Sequence, residues 1–335
     1  MKSPAFSIVP FMVLFFAGCS SQPVVTPDWV AGDSSQYSGA QYLLGRGQAA
    51  TQEEAKDRAR ADLSKIFQVT VEAESEDVQK FRAGGSEPLQ YESQSIRRIN
   101  TRTAQIIHGI QIAELWQDKS TLNFHALAVL PRLQTAASLR QQINALDEAT
   151  GNHIEQSRKS SDLFLKITAA SKAADSQHER DLLQKSLQVV DVTGRGVDAK
   201  WNAAKLKSDL EALLRRVKIA PQVEPGSAPG FYEVVAGALA KAGFMVDTGE
   251  NPDFILWSRL ELADLGFQDG WFWKRGILEV TLSEKGTKRI RGTMRWNVKS
   301  NAPDRESAPK RALNQADLIL KQELRAAIID MAGSR

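Results

Sequence analysis

The sequence predicts an α+β protein in which two small α/β modules flank a long helical hairpin or arm. Three observations carry this. Segment 132–217 is rich in Ala, Leu, Gln, Lys and Asp, almost without Pro, and repeats apolar residues at helical spacing. The stretches on either side mix helical repeats with short apolar runs bounded by Gly and Pro. The 335 residues suffice for two or three units at roughly 100–200 residues each. With 42% hydrophobic and 25% charged residues, the composition excludes wholesale disorder and a many-span membrane protein. A net charge of +3 is too slight to imply nucleic-acid binding. The single cysteine excludes an internal disulfide framework and any zinc site needing two thiolates.

The elements follow in chain order. Lys2 precedes an apolar run, Ala5 to Phe16, which has the length of a signal h-region and falls short of a spanning helix. Ala17 and Gly18 then lead to Cys19. Residues 1–18 are therefore expected to be a leader, and 19–36, with Pro, Ser and Gly, a tether on which Trp29 docks back. Residues 37–131 form the first module. Tyr42–Leu44 suggest a strand, and Thr51-Gln52-Glu53-Glu54 is a capping box opening a helix. Phe67, Val69 and Val71 alternate with polar residues, which predicts a switch to a strand. Gly84-Gly85-Ser86 and Pro88 mark a break, 91–116 extended or mixed segments, and Leu122–Leu130 a strand ended by Pro131.

The arm spans 132–217, with seams at Leu139, Ile143 and Leu146, at Ile167, Ala170, Ala174, His178 and Leu182, and at Leu206, Leu210, Leu213 and Val217. Gly194-Arg195-Gly196 is a turn. The second module, 218–335, has a helix over Phe231–Ala242 closed by Gly243 and strands at Phe244–Val246 and Asp253–Leu262. A hairpin of Ile277–Ser283 with Ile290–Val298 follows, then a helix over about 310–331. Its sheet is expected to be mixed or antiparallel.

Ala17-Gly18-Cys19 resembles a bacterial lipobox, with Phe16 where Leu is commonest. The resemblance implies that Cys19 is acylated and becomes the mature N-terminus; Ser20 and Ser21 after it imply the outer membrane. Leu43–Val71 (LLGRGQAATQEEAKDRARADLSKIFQVTV) with His125–Arg132 (HALAVLPR) resembles the twenty-kilodalton, LPP-type bacterial lipoprotein family over roughly residues 28–135. Members share a Gly-x-Gly-x-Ala opening, an Ala-rich helix, a strand and an Ala-Leu-Ala-Val-Leu-Asp-Arg-like strand end. Pro131 replaces that Asp here. Ala242–Phe244 and the strand opened by Asp253 more loosely resemble small envelope domains of the penicillin-binding-protein activator, curli-secretion and Tol N-terminal types. These families are mostly non-enzymatic, and some LPP-type relatives belong to flagellar outer rings or outer-membrane assembly.

Motifs for chemistry are few. Gly45-Arg46-Gly47-Gln48-Ala49-Ala50 fits the G-x-G-x-x-A form of a dinucleotide site, but the capped helix starts too late for its N-terminus to meet a pyrophosphate. The alternative reading lets the glycines bend a strand before a helix. His108, His125, His153 and His178 are scattered, and no nucleophile elbow, Walker loop or zinc-protease motif occurs. No catalytic, cofactor or metal residue is assigned.

Two stretches are candidate contacts. Trp271, Phe272 and Trp273 lie in an aromatic loop, Gly266–Arg275. In Lys288–Lys299, period two places Ile290, Gly292, Met294, Trp296 and Val298 on one face and Arg289, Arg291, Arg295 and Lys299 on the other. Such a row would meet an anionic partner or simply solubilise the sheet. The expected protein is a non-catalytic lipoprotein held at the periplasmic face of the outer membrane. Its partners are the membrane, envelope proteins or wall polymer, not nucleic acid, and its oligomeric state is open. A flagellar-ring component, a wall-synthase activator and an enzyme with unpatterned carboxylates or a dinucleotide site are the alternatives.

Overall fold

The computed structural model describes residues 26–81, 109–249 and 251–333. Cys19, the leader, the Gly84–Pro88 break, residues 91–108 and His108 lie outside the described residues.

The N-terminal unit is a three-stranded antiparallel sheet, order β1-β3-β2, of β1 (Tyr42–Ala49), β2 (Gln111–Gln117) and β3 (Phe124–Pro131). Five successive residues of β3, Ala126–Leu130, are buried because both faces of this central strand are covered. Ala126, Ala128 and Leu130 face helix α2 (Gln52–Phe81). Leu127 and Val129 meet Trp29 of the short helix α1 (Asp28–Ala31). The segment expected to be tether is thus folded from α1 onward: the Trp29 indole is 2% exposed, and its Nε1 donates to Glu114 Oε2 at 2.7 Å.

Thr51 caps α2, its hydroxyl accepting from the Glu54 amide at 3.3 Å. The strand expected over Phe67–Val71 is instead a continuation of this helix to Phe81. Ala55, Ala59, Leu63 and Phe67 repeat every four residues and are all buried, so Phe67 belongs to the helical stripe. A capped helix propagates cooperatively, and a period-two pattern over five residues does not interrupt it.

Pro131 ends β3 and opens α3 (Arg132–Lys159), which pairs with α4 (Leu163–Val190) through a three-residue turn. Asp162 caps α4, accepting from the amides of Phe164 at 2.8 Å and Leu165 at 3.1 Å. The hairpin is more than a spacer. Leu183, Leu187 and Val190 at the C-terminal end of α4 join the core beneath β1 and α2. Phe164 and Ile167 at its other end join the second core. One helix is shared by both units.

The C-terminal unit follows α5 (Ala203–Leu214). Its five-stranded mixed sheet has the order β5-β4-β6-β7-β8, of β4 (Lys218–Val223), β5 (Met245–Val246), β6 (Phe254–Gln268), β7 (Trp271–Glu284) and β8 (Ile290–Ala302). β4 runs parallel to β5 and β6; β6, β7 and β8 form an antiparallel meander. Helices α6 (Phe231–Lys241) and α7 (Ser307–Gly333) cover one face. In α7, Ala308, Ala312, Ala316, Leu320 and Leu324 recur every four residues, fully buried. Gly292 of β8 sits where a Cβ would lie 2.6 Å from Met331 Cγ, so glycine lets α7 close on the sheet. The other face is open: Trp257 is 48% and Ile277 44% exposed.

The stretch Gly266–Arg275 is a hairpin tip and not a loop. Asp269 (φ 52°) and Gly270 (φ 84°) form a two-residue turn with both residues left-handed, which matches the twist of the paired strands. The Asp-Gly dipeptide is the signal that identifies it.

Candidate functional site

The open end of the second sheet carries the aromatic stretch. Trp271 and Trp273 lie on its uncovered face, and Phe272, paired with Phe267, lies on the helix side with ring centroids 4.9 Å apart. Trp273 Nε1 donates to the Gln268 carbonyl at 3.3 Å, and Lys299 Nζ stands 4.7 Å from the centre of the Trp273 ring.

The basic row of β8 is not continuous. A register shift between Leu282 and Ser283, opposite Gly292 and Ile290, breaks the alternation. Ile290 is consequently exposed, while Arg291 turns inward to Glu284 and to Asp162 of α4, at 3.1 Å from the latter. Those two carboxylates raise the Arg291 pKa against the opposing effect of burial. Arg295 pairs with Glu279, and Arg289 stays in the turn before the strand. Of the four cations expected to share a solvent face, Arg291 is a clamp between the sheet and the helical hairpin.

A second site is buried in that hairpin and was not read from the sequence. Arg180 and Asp147 are each 2% exposed. Arg180 Nε donates to both oxygens of Asp147, at 3.2 and 3.4 Å, and an Nη donates to the Val197 and Asp198 carbonyls, each at 2.9 Å. Gln177 Nε2 reaches Asp147 Oδ1 at 3.1 Å and Thr150 Oγ1 at 2.9 Å, and Trp201 Nε1 donates to the Asp147 carbonyl at 3.1 Å. The cluster ties α3, α4 and the 191–202 connection together. Charged groups are rarely buried unless paired and hydrogen-bonded, as these are. Its signal in the sequence was faint: polar Gln177 and Arg180 at helix positions that a simple apolar seam leaves outside.

Farther along α4, burial raises the carboxyl of Asp175 to about 7, helped by Glu179 and Asp330 and opposed by Arg325, which also pairs with Glu211 at 2.7 Å. The folded state therefore holds a proton that the unfolded chain releases near pH 4, and stability falls as pH rises from about 4 to about 7. Asp175→Asn is expected to flatten that limb. It should match the parent near pH 4 and exceed it above pH 7 by up to about 4 kcal/mol, at 1.36 kcal/mol per unit. Thermal melts of both proteins from pH 4 to 8 check this, and parallel curves would refute it.

Gly45 and Gly47 face α2. A Cβ on Gly45 would lie 2.4 Å from the Ala59 carbonyl oxygen, and one on Gly47 would lie 2.1 Å from that of Ala55. Ala55 and Ala59, both fully buried, are the matching small residues on the helix. The glycines admit the helix backbone, which fills the space a bound pyrophosphate would need. With β3 ending in the buried run Ala126–Leu130, this is the pattern of one bacterial module. Residues 27–131 match the LPP20 lipoprotein family.

The LPP20-type module is thus built around a glycine-to-alanine strand–helix contact, and the match supports a lipoprotein. It starts eight residues beyond Cys19. The chain is also similar to a secreted protein from Helicobacter pylori, with 13% identity, 84% of this chain and 96% of that one covered, and a TM-score of 0.42. A lipoprotein from Neisseria meningitidis has 13% identity, coverage of 35% and 99%, and a TM-score of 0.22. A minor lipoprotein from Acinetobacter baumannii has 9% identity, coverage of 35% and 90%, and a TM-score of 0.25. Likenesses this slight carry no functional argument. No curated protein matches. Among the described residues no helix is long and apolar enough to cross a membrane, and no group of three metal-ligating side chains is assembled. His125 packs its ring against Trp116, 5.3 Å between centroids.

Proposed function

We propose that the chain is a non-catalytic lipoprotein, anchored through acylated Cys19 in the outer membrane, whose two units act in the periplasm as a scaffold or assembly factor through contacts with envelope proteins or wall polymer. The observation that carries this is the position of the LPP20-type module directly after the lipobox-like cysteine. Trp29 is pinned on the sheet, with Arg46 donating to its carbonyl at 2.8 Å. A ten-residue link from Cys19 spans at most about 35 Å, so the anchor keeps the first unit near the bilayer. The shared helix α4 then couples the second unit to the first.

Two or more acyl chains hold a protein stably, whereas one does so only marginally. Cys19→Ala is expected to move the protein from the salt-washed membrane pellet to the soluble fraction. Retention in that pellet would overturn the anchor. Affinity purification of the acylated protein from detergent-solubilised envelopes is expected to recover a stable envelope partner, and its absence would remove the scaffold role.

A further inference from the structure

We propose that the open end of the second sheet, the β6–β7 tip with the neighbouring part of β8, is a docking site for an anionic lipid surface. This goes beyond the anchor reading, because it does not use Cys19.

The β6–β7 hairpin outruns its neighbour. β4 pairs with β6 only as far as Ser258, and β6 continues for ten more residues. Along that overhang the apolar residues are not covered. Phe267 is 60% exposed, Leu265 43% and Trp271 39%. Apolar side chains gathered at the tip of a projecting hairpin contribute little to a core, and the turn alone would hold the hairpin with polar residues in their place.

Behind the tip, Arg275 and Lys299 are direct cross-strand partners on the same open face. Like charges placed opposite one another destabilise a sheet. No carboxylate among the described residues forms an ion pair with either. Their neighbour across β6 is Ala263, and Glu261, next along that strand, is held by Arg259 at 2.9 Å. The two acids of the tip are accounted for otherwise. Asp264 is bridged by Lys274 at 3.0 Å and Arg305 at 3.6 Å, and Asp269 occupies a left-handed turn position that favours Asp, Asn or Gly.

A lipid interface satisfies both halves of this surface. Trp and Phe side chains settle at the headgroup boundary, and phosphate groups supply the missing counter-charge between Arg275 and Lys299. With Cys19 holding the first unit, such a contact would set the orientation of the second against the bilayer.

The test uses residues 20–335, which keep every described residue and lack both leader and acylation site. Co-sedimentation is measured with phosphatidylcholine vesicles, with and without phosphatidylglycerol. Binding is expected only with phosphatidylglycerol and should be lost in high salt. Arg275→Ser with Lys299→Ser should weaken it by roughly tenfold or more. Phe267→Ser with Trp271→Ser should weaken it comparably, and both variants should keep the parent's melting temperature to within a few degrees, since these side chains lie at an exposed edge. No binding, equal binding to neutral vesicles, or binding unchanged in both variants would overturn the proposal while leaving the Cys19 anchor standing.

Discussion

Arg180→Ala is expected to lower the free energy of unfolding by about 3–5 kcal/mol, the cost of leaving a buried charge without its partner. Asp147 would then be 2% exposed with only Gln177 as a side-chain donor, and the Val197 and Asp198 carbonyls would lose theirs. Asp147→Ala should cost about as much, because it strands the guanidinium. Replacing both, as Asp147→Leu with Arg180→Met, should recover much of the loss, since a buried ion pair and well-packed apolar residues are often similar in stability. The recovery should be incomplete, because Gln177 and the two carbonyls still need partners. Urea unfolding of the four proteins closes the cycle. A single substitution costing less than about 1 kcal/mol would show that water reaches the pair.

Gly47→Ala is the other large effect. The new Cβ would fall 2.1 Å from the Ala55 carbonyl oxygen and 2.4 Å from the Ala59 nitrogen, both backbone atoms. Flexible side chains can move aside; a helix backbone has to shift as a whole. The expected cost is about 3 kcal/mol or more, at the upper end of overpacking effects, and enough to unfold a marginal module. Two controls frame the number. Gly39→Ala meets nothing within 4 Å and should be near neutral. Gly237→Ala, on the exposed side of α6 with the same free space, should stabilise by about 0.5–1 kcal/mol through helix propensity. If Gly47→Ala behaves like Gly39→Ala, the close approach of β1 to α2 is wrong.

These effects show where the sequence could be read and where it could not. The capping box at Thr51, the Phe231 helix with its Gly243 stop (φ 93°), the β7–β8 pairing and the final helix were all legible, because each is announced by neighbours within a few residues. Trp29 docking was legible too, since a large aromatic in a polar segment has few other places to go. The Phe67–Val71 strand was misread because the same residues fit periods of two and of about four, and only the helix behind them decides between the two. The Gly266–Arg275 hairpin was missed despite a local signal, Asp269-Gly270, because the crowd of aromatics drew attention from the turn. The face of Arg291 could not be read at all: one bulge inverts the side on which every earlier residue of the strand lies.

By itself, then, the sequence determined the α+β class, the lipoprotein character of the N-terminal region and the kind of nearly every element, since caps, breakers and apolar periods act over one or two turns of chain. Only the tertiary structure decided which residues work together. Asp147 meets Arg180 from 33 residues away, Gly47 meets Ala55 across a turn, and Arg275 faces Lys299 across a strand pair. Those meetings depend on helix crossing, strand register and a bulge. They are properties of how whole elements pack, and no window of neighbouring residues contains them.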